Sequence, residues 1–298
     1  MGWGHYSSDA RHERASTRGF YTKPKEEIFD NRSLNEAMNP RGVTLRESRD
    51  NDDHPNSFAT IIVLDVTGSM LHVPEYLVRT GLPKVVSTII QRGFPDPQIL
   101  FIAVGDHETD RAPLQIGQFE SNDEKLDYWL TNVYLEAGGG SNSGESYILS
   151  WFFAGYYTQH DAWDKRGIKG LLITVGDEPP LLKLPAASQA KIMGNGQYGD
   201  LTAEQLLTKV QERYHVYHIH TTETGTGKRA GIVDVWKKLL GQNVIVVDDS
   251  DTIVKTIVEL TMKHAISGDA DATPEPAPDG TPDLTSIDGA PDLTSIFL

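Results

Sequence analysis

"IIVLDVTGSM", residues 61–70, runs four apolar residues into an aspartate and then places hydroxyls at alternate positions: Asp65, Thr67, Ser69. Extended backwards to "FATIIVLDV", it is a continuous apolar run rich in β-branched residues, the pattern of a strand covered on both faces. A buried strand needs only one turn residue at its end; this one carries three oxygen-bearing side chains, two apart. The plain alternative is that Asp65 makes the turn and Ser69 caps the next helix.

The same alternation continues over residues 57–266. "VPEYLVRTGLPKVVSTIIQRG" has helical spacing of its apolar residues, with Pro83 expected to kink it. "QILFIAVGD" and "KGLLITVGD" read as further buried strands, and "LQIGQFE" as a weaker one because Gly117 interrupts it. "NDEKLDYWLTNV", "SGESYILSWFFAGYYTQH", "LTAEQLLTKVQERY", "GIVDVWKKLLG" and "DTIVKTIVELTMKHA" read as helices, with "HVYHIHTT" and "NVIVVDD" as strands between them. Strands alternating with helices predict a Rossmann-like, doubly wound α/β domain with a mostly parallel central sheet. Residues 1–56 are polar, lack sustained periodicity and read equally as an arm wrapping the domain or a partner and as a disordered segment. Residues 267–298 form an acidic tail with a tandem repeat, "GTPDLTSI" (280–287) and "GAPDLTSI" (289–296).

In a parallel α/β sheet, ligands bind beyond the carboxyl ends of the strands. Three segments are expected to meet there: Asp65, Thr67 and Ser69; the loop "GGGSNSGES" (138–146); and "GDEPP" (176–180), with Asp177 just past a strand. Each offers oxygen, and none an obvious nitrogen or sulfur ligand. Hydroxyls with two carboxylates suit a hard divalent cation, Mg²⁺ or Mn²⁺.

"DVTGSM" resembles the D-x-S-x-S element of a von Willebrand factor A domain, and the order of elements over 57–266 resembles that fold. The resemblance implies a metal-ion-dependent adhesion site, where an acidic residue of a partner completes the ion's coordination. Carried over, the metal ligands are Asp65, Thr67, Ser69, Ser141 and Asp177, with Ser143 as an alternative to Ser141. Thr67 departs from the usual Ser but keeps the hydroxyl. "TVGDEPP" places Asp177 later than the common Thr-Asp-Gly and resembles a Gly-Asp-x-Pro-Pro variant; "VGDHETD" also resembles that variant. Asp106, His107 and Glu178 are expected at the rim or as alternative ligands.

Composition narrows the function. Net charge is −15, which argues against nucleic acid and anionic lipid as partners. The chain has no cysteine, which excludes disulfides, thiolate zinc sites and cysteine nucleophiles. The first residues lack the apolar core of a secretory signal, and no apolar run reaches membrane-spanning length. A cytoplasmic protein is the simplest expectation. "TGTGKR" (224–229) fails the phosphate-loop pattern, since Arg229 stands where Ser or Thr is needed, and reads as a flexible loop. His215, His218 and His220 are expected to be structural. No catalytic constellation is evident, so the chain is read as a non-enzyme. The expectation is a metal-dependent protein-binding module taking an Asp or Glu of a partner, within a multiprotein assembly that could include an AAA+ ATPase, as in intracellular members of the family. The alternatives are a scaffold assembling through its arm and tail, with residues 280–298 docking a second partner, and, more remotely, a Mg²⁺- or Mn²⁺-dependent phosphoester hydrolase using His107 or Glu178.

Overall fold

The computed structural model describes residues 2–94, 96–136, 144–194 and 198–266. Among these residues ten strands are formed: β1 (Arg46–Ser48), β2 (Phe58–Asp65), β3 (Pro97–Val104), β4 (Leu114–Ile116), β5 (Thr158–His160), β6 (Gly170–Gly176), β7 (Lys183–Leu184), β8 (Leu201–Thr202), β9 (Tyr214–Thr221) and β10 (Val244–Val247). Eleven α-helices accompany them: α1 (Ser8–Arg18), α2 (Lys25–Ile28), α3 (His72–Tyr76), α4 (Leu82–Gln91), α5 (Asp123–Thr131), α6 (Ile148–Tyr157), α7 (Asp161–Arg166), α8 (Ala186–Met193), α9 (Ala203–Gln211), α10 (Ile232–Leu240) and α11 (Ser250–Ile266).

The central sheet has the order β10-β9-β6-β2-β3-β4, parallel throughout except for β4, which pairs antiparallel to β3 at one edge. Every residue of β2, β3 and β6 is buried. Their side chains alternate between two cores. Ile62 and Leu64 of β2 point into a core shared with α4 and α11, while Ala59, Ile61 and Val63 face α6, α9 and α10. Helices on both faces therefore explain why these strands are continuously apolar rather than alternating. The structure thus establishes an α/β fold with a mostly parallel sheet of six strands flanked by helices.

Local side chains set several helix ends. Asn122 caps α5 by accepting from the N–H groups of Glu124 and Lys125. Thr202 and Gln205 form a capping box at α9. The kink expected at Pro83 takes a specific form: Leu77–Gly81 is a π-helical segment joining α3 to α4. Proline at 83 has no N–H to give to the turn before it, so the ladder slips there.

Residues 2–56 contain α1, α2, a 3₁₀ turn at Glu36–Met38 and β1. Helix α1 lies on α5, held by Arg11, which is 1 % exposed and donates from Nε to Asp127 at 3.2 Å and from Nη2 to the Val78 carbonyl. Arg14 adds 2.7 and 2.9 Å contacts to Asp123 and Asp127. Burial still pushes the Asp127 carboxyl upward, with the two arginines opposing it. β1 pairs in parallel with β5, a second small sheet. The acidic tail with its repeats lies outside the described residues. Among the described residues no helix is long and apolar enough to cross a membrane.

Candidate functional site at the carboxyl edge of the sheet

β2 delivers Asp65 to the top of the sheet at 0 % exposure. Its Oδ1 accepts from the Thr67 N–H at 2.9 Å and the Thr67 hydroxyl at 2.6 Å. Asp65 therefore does make the turn, as the plain reading has it. Its other oxygen does more: Oδ2 accepts from the Tyr147 hydroxyl at 2.6 Å. Beyond the turn, Gly68–Met70 forms a 3₁₀ turn that leaves Ser69 exposed. The Ser69 hydroxyl donates to Asp177 Oδ1 at 3.1 Å. Asp177, just past β6 and 0 % exposed, also accepts at Oδ2 from the Thr224 hydroxyl at 2.5 Å. Asp65, Thr67, Ser69 and Asp177 are thus brought to one place from adjacent strands. Ser141 and Ser143 lie outside the described residues.

Among the described residues, the hydrogen-bond partners of both aspartates are hydroxyls and a backbone N–H, with no basic side chain. Two buried carboxylates without a cationic partner are an electrostatic cost. Burial pushes the Asp65 carboxyl up to about 6 against its three hydrogen bonds, and the Asp177 charge adds to the rise. Glu145 joins this acidic surrounding. It is 5 % exposed, and its Oε2 accepts no hydrogen bond among the described residues. Burial, followed by the charges of Asp65, Asp110, Asp106 and Glu178, pushes its carboxyl up to about 10, so it is held as the neutral acid.

The rim residues have local duties. Asp106 accepts from the Glu108 N–H at 2.9 Å and the Thr109 hydroxyl at 2.7 Å, fixing the turn after β3. The His107 N–H donates to Ser146 Oγ at 2.9 Å, and its Nδ1 lies 2.7 Å from the same oxygen. Burial lowers the His107 pKa, keeping the ring neutral. Glu178 accepts from Arg229 at 3.0 Å, and its carbonyl accepts from the Trp236 indole at 3.0 Å. None of the three hydrogen-bonds Asp65 or Asp177. Among the described residues no group of three or more His, Asp or Glu side chains is arranged to hold a metal; the set at the sheet edge has two carboxylates and otherwise hydroxyls.

Three contributors escaped the sequence reading. Tyr147 sits in a helix entry whose neighbours are apolar, so it reads as core. It packs edge-on against Trp236 and His218 while its hydroxyl reaches Asp65. Gly176 permits this: a Cβ there would lie 1.9 Å from the Tyr147 hydroxyl. Thr224 belongs to "TGTGKR", read from sequence as a flexible loop. That reading needs correction, because the loop is tied in place. The Thr224 hydroxyl bonds Asp177 and accepts the Gly227 N–H at 2.9 Å, while the Gly227 carbonyl meets His220 Nε2 at 2.9 Å. A Cβ at Gly227 would sit 1.9 Å from the Thr221 carbonyl, so the glycine serves close approach rather than flexibility. Glu145 is the third; its loop was singled out for its serines alone. His218 stacks on Trp236 at 3.5 Å between ring centroids, and burial lowers its pKa well below the ordinary value.

Comparison with known proteins gives little. No protein-family model and no curated protein matches the chain. Among solved structures it is similar to the pilus adhesin SpaC from Lactobacillus rhamnosus GG in its open conformation, at 11 % identity and TM-score 0.46, over 74 % of this chain and 31 % of that one. It is also similar to proximal thread matrix protein 1 from the mussel byssus, at 10 % identity and TM-score 0.44, over 69 % of this chain and 48 % of that one. The chain therefore spans less than half the length of these neighbours. At such scores neither likeness bears on function.

Proposed function

We propose that the carboxyl edge of the sheet is the cation site of a von Willebrand factor A-type binding module, and that the chain captures an acidic side chain of a partner protein there. One observation carries the reading: Asp65 and Asp177, both fully buried, meet across hydroxyls with no positive side chain among their hydrogen-bond partners in the described residues. Such a pair is compensated by a hard cation, and an all-oxygen donor set fits Mg²⁺ or Mn²⁺. When bound, the ion would supply a Lewis-acidic position open to a carboxylate from outside. The chain's own residues do the rest. Thr67 and Tyr147 fix the Asp65 carboxylate, Thr224 fixes that of Asp177, and Ser69, exposed at the mouth and bonded to Asp177, would be the hydroxyl available to help hold the ion. Tyr147 and Trp236 close the floor against water.

The test uses immobilised full-length chain and lysate of its native host, in Mg²⁺ and in EDTA, beside the Ser69→Ala chain. A partner retained only in Mg²⁺, and lost on Ser69→Ala, supports the reading. Retention of the same partners in EDTA by both chains removes the metal from the mechanism. The hydrolase alternative draws no support from the geometry, because neither His107 nor Glu178 hydrogen-bonds the two aspartates.

A further inference from the structure

A cavity of about 300 Å³ opens beside this site, between the N-terminal arm and the start of α3. Its apolar floor is Phe29, Leu71 and Leu135, and Lys25, Arg32 and Glu26 stand around it. Phe29 is buried, whereas Lys25 and Leu71 are half-buried and Arg32 is exposed. Neither Lys25 nor Arg32 makes an ion pair among the described residues. On a chain of net charge −15, this is a partly apolar hollow, lined also by Asn31 and Tyr134, where two cations without ion pairs among the described residues stand against one acid, Glu26. It is shaped for a short peptide with an acid next to a branched aliphatic residue.

The chain carries that peptide twice. Asp283-Leu284 and Asp292-Leu293 occupy equivalent places in the two "PDLTSI" copies, and residues 268–298 hold seven acids without a Lys or Arg. We propose that this groove is the docking site of the chain's own tail: one "PDLTSI" copy seats its Leu on Phe29, Leu71 and Leu135 and sets its Asp against Lys25 or Arg32.

Reach favours the same molecule over a second copy. The groove and α11 lie on the same face of the sheet, since Phe29 and the α11 residues Ile257 and Val258 share one core. Helix α11 spans 17 residues, about 25 Å, which sets the scale of the distance to be bridged. The chain from Ile266 to Asp283 can extend over roughly 55 Å at ~3.3 Å per residue. Such a tether gives an effective concentration on the order of millimolar, so a contact too weak to hold a free peptide fills the groove in cis. Two copies competing for one groove make the loss of either one mild. Leu71 is two residues from Ser69, so a seated tail lies beside the candidate cation site and competes with a partner approaching it. The docking itself uses no cation.

The test is paramagnetic broadening in the full-length chain, which has no native cysteine to interfere. A nitroxide is attached at Ser286→Cys or, separately, Ser295→Cys, and methyl signals of Leu71 and Leu135 are followed in EDTA. The account expects both labels to broaden these signals. Leu284→Ser alone should reduce the broadening from the first label and raise that from the second, and the double Leu284→Ser/Leu293→Ser chain should abolish both. Lys25→Glu with Arg32→Glu should abolish them too, with the other methyl signals unmoved as a check on folding. Absence of broadening, or broadening indifferent to these substitutions, overturns the proposal. Broadening only when spin-labelled chain is mixed with separate isotope-labelled chain also overturns it, assigning the groove to a second copy. Working in EDTA keeps the outcome separate from that of the cation reading.

Discussion

Replacing Tyr147 by Phe removes one oxygen from the base of the site and leaves the ring where it is. The lost bond is short, 2.6 Å, and ends on a carboxylate that is 0 % exposed. A hydrogen bond to a charged group contributes about 1.5–3 kcal/mol, against ~1 kcal/mol for a neutral one. Among the described residues Asp65 Oδ2 has no other bonded partner, and the space vacated is too small and enclosed for water to substitute well. The expected loss of stability is therefore about 2–3 kcal/mol, or roughly 5–10 °C in melting temperature for a domain of this size. Tyr214→Phe is the internal control. Its hydroxyl is equally buried but bonds the neutral Thr158 hydroxyl, at 2.7 Å, so its removal should cost only ~1 kcal/mol. The assay is urea unfolding at pH 7 in EDTA, which keeps bound cations out of the comparison. Equal losses for the two variants, or a loss under ~0.5 kcal/mol for Tyr147→Phe, would refute the claim that this hydroxyl supports a charged Asp65.

Other consequences are as direct. Gly176→Ala should destabilise by several kcal/mol in the same assay, because its Cβ would lie 1.9 Å from the Tyr147 hydroxyl at a packed sheet edge; Gly176→Ala in a Tyr147→Phe background should cost less. Arg11→Ala should cost about 3 kcal/mol and increase proteolysis of the first 20 residues, since it strips a buried partner from Asp127 and leaves Arg14 alone beside it. His160 gives a pH dependence. Burial lowers its pKa to about 3, so the native state binds fewer protons than the unfolded chain between there and the ordinary 6.5. Its contribution to stability is complete above pH 6.5 and falls as pH drops toward 3. Comparing stabilities from urea unfolding at pH 7 and 4.5, wild type should lose more than His160→Gln, by roughly 2.5 kcal/mol.

Much of the architecture was legible because the sheet is buried on both faces. "FATIIVLDV", "QILFIAVGD" and "KGLLITVGD" are interrupted by at most one Thr before their Asp, and every residue of the three strands they form is buried. The arm was not legible as structure. Helix α1 buries only Arg11 and Ala15, so it shows no apolar stripe, and it is anchored by an arginine that sequence alone places on the surface. β1 and β5 are three residues each and polar, and their pairing depends on a partner over a hundred residues away. At the site, Asp65, Thr67, Ser69 and Asp177 could be found because strand ends are where polar residues in apolar runs are conspicuous. Tyr147 and Thr224 could not, because one is hidden in an aromatic run and the other in a glycine-rich loop. The kink near Pro83 was visible in the sequence; its π-helical form was not, since that depends on how α3 and α4 dock on the core.

The central claim is that Asp65, Ser69 and Asp177 jointly hold a divalent cation. Its most direct test is Mn²⁺ titration of the full-length chain, followed by loss of the free-ion paramagnetic resonance signal and displaced by Mg²⁺. The account predicts one saturable site per chain, at least tenfold weaker in Asp177→Asn and in Ser69→Ala, each of which keeps the wild-type circular dichroism. A chain that leaves Mn²⁺ free, or binds it equally well after both substitutions, contradicts it.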